Sequence, residues 1–275
     1  MKRGLAALVA LTPLSLACVG CAGGSPLLHS ARALPTGDVR ATLGLSANVA
    51  GGGLGTDLRR AKESAATNPN TPGPAGSNPD YAKGALVAAA VSPGVAPFVS
   101  ARVGVGNRFD AGLAYTGRAV RIDARRSFDS GPYSLSIGAG GSAALYGRQS
   151  GSELAGVDLG SLHGYGADIP ILVGWQSAGA LYQVWTGVRG GFEHDTISEM
   201  TSEPKSVTLG TPPLSLSADR FYGGGVLGIA TGLRHIHVAI EAAAYYESVS
   251  GSFNGSNVKT QGFTVIPATA LWWTF

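Results

Sequence analysis

From residue 39 onward, apolar and polar or small residues alternate with a period of two over long stretches. Val39, Ala41, Leu43, Leu45, Ala47 and Val49 alternate with Arg40, Thr42, Gly44, Ser46 and Asn48. Successive side chains of an extended strand point to opposite sides, so this segment has one apolar and one polar face. The same pattern returns at Val99–Val105, Val120–Ala124, Leu135–Leu145 and Ile236–Tyr246. Further strands are expected at about 109–116, 169–176, 181–193, 221–233 and 262–275. Together they predict about ten strands, within a range of eight to twelve, most longer than the five or six residues usual in soluble sheets.

Strands of that length suit a bilayer, where a tilted spanning strand needs about 9–11 residues. The faces opposite the apolar rows hold Gly, Ser, Thr, Arg, Asp and Glu, which suits a narrow polar interior with the apolar face turned to lipid. Open sheet edges are not tolerated in hydrocarbon. The expected fold is therefore all-β: an up-and-down antiparallel transmembrane β-barrel over residues 38–275. Connections at about 106–109, 128–132, 176–180 and 233–235 read as short turns. Those at about 50–94, 147–168, 194–220 and 248–262 read as long loops, with a short hairpin near Gly117. Gly51–Asn78 reads as a mobile loop. The apolar run Ala85–Val91 is open to reading as a strand, a short helix or a plug. Phe109, Phe128, Tyr133, Trp175, Tyr182 and Trp273 fall near the short-turn ends, and Tyr115, Tyr146, Phe192, Phe221 and Tyr246 near the others, as two aromatic girdles would.

Composition narrows the classes further. Gly accounts for 42 of 275 residues without a triplet period, which excludes collagen and disfavours long soluble helices. Charged residues are 13 % and apolar ones 44 %, which argues against disorder. The net charge of +3 is dispersed, so no nucleic-acid surface is expected.

The N-terminus reads as an export signal over residues 1–20. Lys2 and Arg3 precede the apolar stretch Leu5–Leu16, followed by small residues around Ala17-Cys18-Val19-Gly20-Cys21. This resembles a bacterial lipoprotein signal, which implies acylation of Cys21, with residues 21–37 as a lipid-anchored tether on the periplasmic side of the outer membrane. Cys18 and an ordinary cleavage after Ala22 are the alternatives. The last residues, with Leu271, Trp273 and Phe275 on one face, resemble the assembly signal of bacterial outer-membrane barrels and imply insertion by the barrel assembly machinery. Pro267 departs from a regular strand. That resemblance covers the last ten or so residues and the overall pattern, and implies no particular activity.

Candidate chemistry is sparse. Arg40, Arg102, Arg121, Arg125 and Arg189 are expected to line the lumen against Asp123, Glu193 and Glu241. Such charges pair to close an interior; the apparent excess of Arg would otherwise favour a narrow, slightly anion-preferring pore. His194 with Glu193 and Asp195 is weighed as a catalytic group and set aside, because adjacent strand residues face opposite ways; His163 near Ser161, in a loop, is a weak hydrolase signal. No cofactor or metal is expected. The function expected is a structural or surface-binding scaffold among outer-membrane lipids with an unidentified surface ligand. A small channel or carrier is the alternative, and an outer-membrane hydrolase a third reading.

Overall fold

Ten antiparallel strands pair each with the next in sequence, and the last closes on the first. This computed structural model describes residues 23–67, 78–145, 154, 162–200 and 214–275. The elements are β1 (Val39–Gly51), α1 (Gly52–Thr67), α2 (Pro79–Ala90), β2 (Gly94–Gly106), β3 (Phe109–Tyr115), β4 (Ala119–Ser130), β5 (Tyr133–Ala144), β6 (Leu162–Gln176), β7 (Tyr182–Met200), β8 (Leu214–Leu233), β9 (Ile236–Phe253) and β10 (Ser256–Thr274). The seam between β1 and β10 runs in register from Arg40 opposite Thr274 to Gly51 opposite Phe263. The fold is the expected up-and-down barrel.

The apolar rows face outward. Leu43 is 63 % exposed and Ile122 62 %, whereas their strand neighbours Thr42 and Arg121 are buried. A soluble sandwich would show the reverse. The barrel thus has a terminal end, where β1 starts and β10 stops, and a helix end opposite. Turns at the terminal end are tight; at Asn107-Arg108 both residues have positive φ, which matches the strand twist.

The helix end departs from the sequence expectation in three ways. The stretches read as long loops at 147–168 and 194–220 are in part strand, because β6 starts at Leu162, β7 runs to Met200 and β8 starts at Leu214. The stretch read as a long loop at 248–262 is a tight hairpin turning at Asn254-Gly255, with φ of 48° and 76°. The stretch read as a mobile loop at 50–94 holds a helical hairpin. Leu54, Leu58, Ala61 and Ala65 form one buried stripe of α1. Helix α2 starts with Asn78 Oδ1 accepting from the amides of Asp80 and Tyr81, and with Pro79 in its first turn. The helices touch where Gly84 meets Ala61, a contact too close for a Cβ at residue 84.

Strands β7–β10 have 18–20 residues, against 7–13 in β2–β5. The wall is therefore tall on one side, and the hairpin lies against its inner face, packed on Ile197, Leu216, Val249 and Phe253. A second core fills the lumen, with Trp185 stacked on Trp272 (centroids 5.6 Å apart) beside Tyr222 and Tyr245. Glycine makes room for it: a Cβ at Gly228 would collide with the Trp185 indole.

Candidate functional site: the occupied lumen

Two pieces of the chain enter the barrel from opposite ends. From the terminal end, residues 34 back to 23 run up inside the lumen, all of them buried except the half-buried Ser25 and Arg32. Of the stretch expected to be a tether, residues 21–37, the structure places residues 23–34 inside the barrel, whereas Pro35, Thr36 and Gly37 are exposed. Such a segment has no ladder partners, so its backbone groups must be satisfied by side chains. The wall supplies them. Glu241, fully buried on β9, accepts from the amides of Leu27 (2.7 Å) and Leu28 (2.8 Å) and from the Trp185 indole N–H (3.0 Å). Asp110 accepts from the Leu34 amide at 2.9 Å. Arg125 donates to the carbonyls of Ser30 and Arg32, Arg189 to that of Ser25, and Ser46 Oγ to that of Gly24. His29 lies buried against Arg125 at 2.7 Å.

From the other end, α2 points its C-terminus down the lumen. Its last carbonyls have no intrahelical donors and carry the negative end of the helix dipole. Arg118 donates to Ala89 (2.8 Å) and Ala90 (3.2 Å), Arg220 to Ala90 (2.8 Å), and Asn48 Nδ2 to Val91 (2.6 Å). The Ala85–Val91 run is thus a helix that plugs the barrel.

Each lumen residue expected from sequence lies inside. Arg121 forms a two-pronged pair with Asp168, both bonds 2.8 Å, and also meets Asp123. Arg102 bridges Asp110 (2.5 Å) and Asp123. Arg125 forks onto Asp110 at 2.8 and 2.9 Å. Arg189 meets Asp168 at 3.0 Å. Glu193 takes Arg118 at 3.1 Å and Arg220 at 3.5 Å. Arg40 instead packs its guanidinium 4.5 Å over the Trp272 ring.

Sequence reasoning did not place Asp110, Asp168, Asp195, Arg220 and Glu247 of the strands, or Arg118 of the β3–β4 turn, in the lumen. Register could have found the strand residues, since Asp110 alternates with outward Phe109, Asp168 with Ile169, Arg220 with Phe221 and Glu247 with Tyr246. Arg118, in a turn, carries no such signal. With them included, the apparent cation excess disappears. Among the described residues, Arg40, Arg102, Arg118, Arg121, Arg125, Arg189 and Arg220 face Asp110, Asp123, Asp168, Glu193, Asp195, Glu241 and Glu247, seven against seven.

The groups weighed for catalysis do not converge. His194 turns outward onto Asp219 (2.7 Å) and Tyr165, whereas Glu193 and Asp195 turn inward. Among the described residues no His, Cys, Asp or Glu cluster could hold a metal ion. Leu271, Trp273 and Phe275 are outward and exposed at the seam. Cys18, Cys21, Tyr146 and Ser161 lie outside the described residues, as does the signal at 1–20. Spaces beside the N-terminal insert are small. One of about 30 Å³ lies between Gly23, Asn48, Arg118, Arg121, Arg189, Glu193 and Arg220, and one of about 10 Å³ lies beside His29 and Arg102. Each holds one or two waters at most. No protein-family model matches the chain, and no curated protein matches it in sequence.

Proposed function

We propose that this chain is a bacterial outer-membrane barrel, sealed by its own residues, that serves as a structural or surface-binding scaffold. Its surface supports the membrane setting. On β9 the outward residues are apolar from Ile236 to Tyr246 and then become Ser248, Ser250 and Ser252. On β10 they run from Trp273 to Phe263 and then become Gln261 and Lys259. Ten residues at about 3.3 Å, tilted by about 40°, give a belt of roughly 25 Å, the hydrocarbon height of such barrels. Phe192, Phe221, Tyr246 and Phe263 ring its upper edge. Phe109, Phe128, Tyr133, Tyr182 and Trp273 ring the lower one, where Arg126 lies over both Phe109 and Phe128. An Arg between aromatics suits a headgroup interface. Lipids are thus its lateral partners. The C-terminal Phe275 exchanges hydrogen bonds with Val39 at the seam, the place where an assembly machine would register closure.

The observation that carries the scaffold reading is the lumen filled from both ends. A sealed barrel has nothing to conduct, so its exposed parts, the tall β7–β10 wall and the helical hairpin, carry what it does. Planar-bilayer recording tests this. The intact chain is expected to give no steady conductance, whereas removal of residues 23–36 opens a small one. Steady openings from the intact chain would replace the scaffold with the channel reading. A protein whose gel mobility is the same boiled and unboiled would remove the membrane barrel altogether.

A further inference from the structure

Between its two aromatic rings the outward face of the barrel is uncharged on every strand, with one exception. Arg126 stands on the outward face of β4, in line with Ile122, Ala124 and Phe128, and among the described residues it is the one charged side chain of that belt. It sits at the lower ring, directly opposite Phe109 of β3 and Ile137 of β5. Its guanidinium lies 5.3 Å from the Phe109 ring centroid and 5.1 Å from that of Phe128. The rings bracket the cation, and among the described residues no carboxylate pairs with it. Asp129, the acid at this end of β4, already faces Arg32 at 3.8 Å and Arg108 at 4.0 Å. Arg32, Arg108 and Arg126 against Asp129 leave this sector of the rim with two positive charges. A guanidinium turned toward hydrocarbon is costly, but its planar fork matches two oxygens of a phosphate.

On the helix-end side of Arg126 the wall dips. Ala124 lies about 6.6 Å further along the strand, with Ala111 beside it on β3 and Ala139 beside it on β5. Leu113 and Ile122, 52 % and 62 % exposed, stand out one step beyond. The alanines floor a recess three strands across, about 10 Å from the first strand to the third. We infer that this sector binds one anionic phospholipid, with its phosphodiester on Arg126 and its glycerol and first methylenes in the alanine recess. Charge selects the class. A zwitterionic head brings an ammonium to a sector that is already positive and whose acid is engaged; a phosphatidylglycerol head brings the phosphate alone. The inference rests on the membrane-barrel reading, and it gives the scaffold a fixed lipid partner on its short-stranded side.

Native mass spectrometry of the full chain in detergent, titrated with phosphatidylglycerol or phosphatidylethanolamine, tests it. One phosphatidylglycerol is expected to stay on each barrel, bound about tenfold more tightly than phosphatidylethanolamine. Arg126→Gln should weaken phosphatidylglycerol about tenfold and erase the preference. Ala124→Phe, which fills the recess and keeps the cation, should also weaken it, and Lys259→Gln, at the other end of the barrel, should not. Heat-modifiable mobility shows which variants are folded, and the two-lipid comparison on the native chain needs no variant. Equal binding of the two lipids by the native chain, equal binding of phosphatidylglycerol by the native chain and folded Arg126→Gln, or an equal loss in Lys259→Gln would overturn the inference and leave the barrel standing. Full binding by folded Ala124→Phe would overturn the recess. A native chain without heat-modifiable mobility would overturn the membrane barrel itself, and the site with it.

Discussion

Glu241 is the point at which the lumen holds its inserted segment most directly, and replacing it separates plug docking from barrel stability. The carboxylate is 1 % exposed and accepts three hydrogen bonds, two of them from consecutive amides of the plug. Hydrogen bonds to a charged acceptor contribute about 1.5–3 kcal/mol each. Glu241→Ala therefore weakens docking by roughly 3–6 kcal/mol. Glu241→Gln keeps one acceptor oxygen but turns an amide N–H₂ toward a backbone donor, for a loss of about 2–4 kcal/mol. The strand ladders are untouched, so heat-modifiable mobility should persist. Tryptic cleavage after Arg32, which sits in the plug, reports the undocked fraction when opening and closing are fast. A loss of 2.8 kcal/mol corresponds to about a hundredfold faster cleavage. Trp185 loses its acceptor as well, so its fluorescence should shift in the same variants. If both variants are cut as slowly as the native protein while the barrel remains folded, the clamp is not what holds the plug, and the reasoning from hydrogen-bond satisfaction fails.

Other expectations follow from the same geometry. Arg125→Met removes the fork on Asp110 and the donors to Ser30 and Arg32, and should cost about 3–5 kcal/mol in denaturant unfolding; Arg125→Lys, lacking the fork, should recover little of it. Gly84→Val forces α1 and α2 apart at Ala61 and should destabilise the hairpin by about 1–3 kcal/mol, read as faster amide exchange in α2 with unchanged exchange in β3–β5. Burial pushes the Tyr81 phenol up to about 12. Because the folded state then holds its proton more firmly than the unfolded chain, stability present below pH 10 is lost as pH rises through 12, by up to about 2.7 kcal/mol. Tyr81→Phe should remove that alkaline loss in a pH series of melts. Deleting Phe275 removes the exchange with Val39 and should lower the heat-modifiable fraction in membranes, whereas normal assembly would show that the terminal residue is dispensable.

What the sequence revealed depended on where each residue sits relative to the apolar belt. Inside it, one face must be apolar and the other polar, so Val39–Val49 and Ile236–Tyr246 announce both their strand nature and their orientation. Above it, the outer face meets water and the alternation fades. Ser248, Ser250 and Ser252 opposite Lys259 and Gln261 look like a loop for that reason, although Asn254-Gly255 is a strong hairpin signal on its own. Helix α1 was hidden by its glycine-rich start, which outweighed the spacing of Leu54, Leu58, Ala61 and Ala65. The N-terminal insert, residues 23–34, was invisible for a different reason. A segment held by side-chain bonds to its backbone has no periodicity, and nothing in Leu27-Leu28 indicates that Glu241, 213 residues away, accepts from it. Lumen arginines were legible by register; their full complement of acids required every strand to be extended correctly.

The uneven height of the wall gives the molecule a front and a back. On the β2–β5 side the strands end near the upper aromatic ring, so in the bilayer setting proposed above molecules drifting in the plane of the membrane would come up against a low parapet. On the β7–β10 side they meet a palisade of Ser, Asp, His and Lys side chains rising clear of the aromatic ring. Anything that approaches laterally, whether a sugar-bearing lipid or a neighbouring protein, therefore finds a different surface according to the bearing from which it comes, even though the strands beneath form one continuous ring.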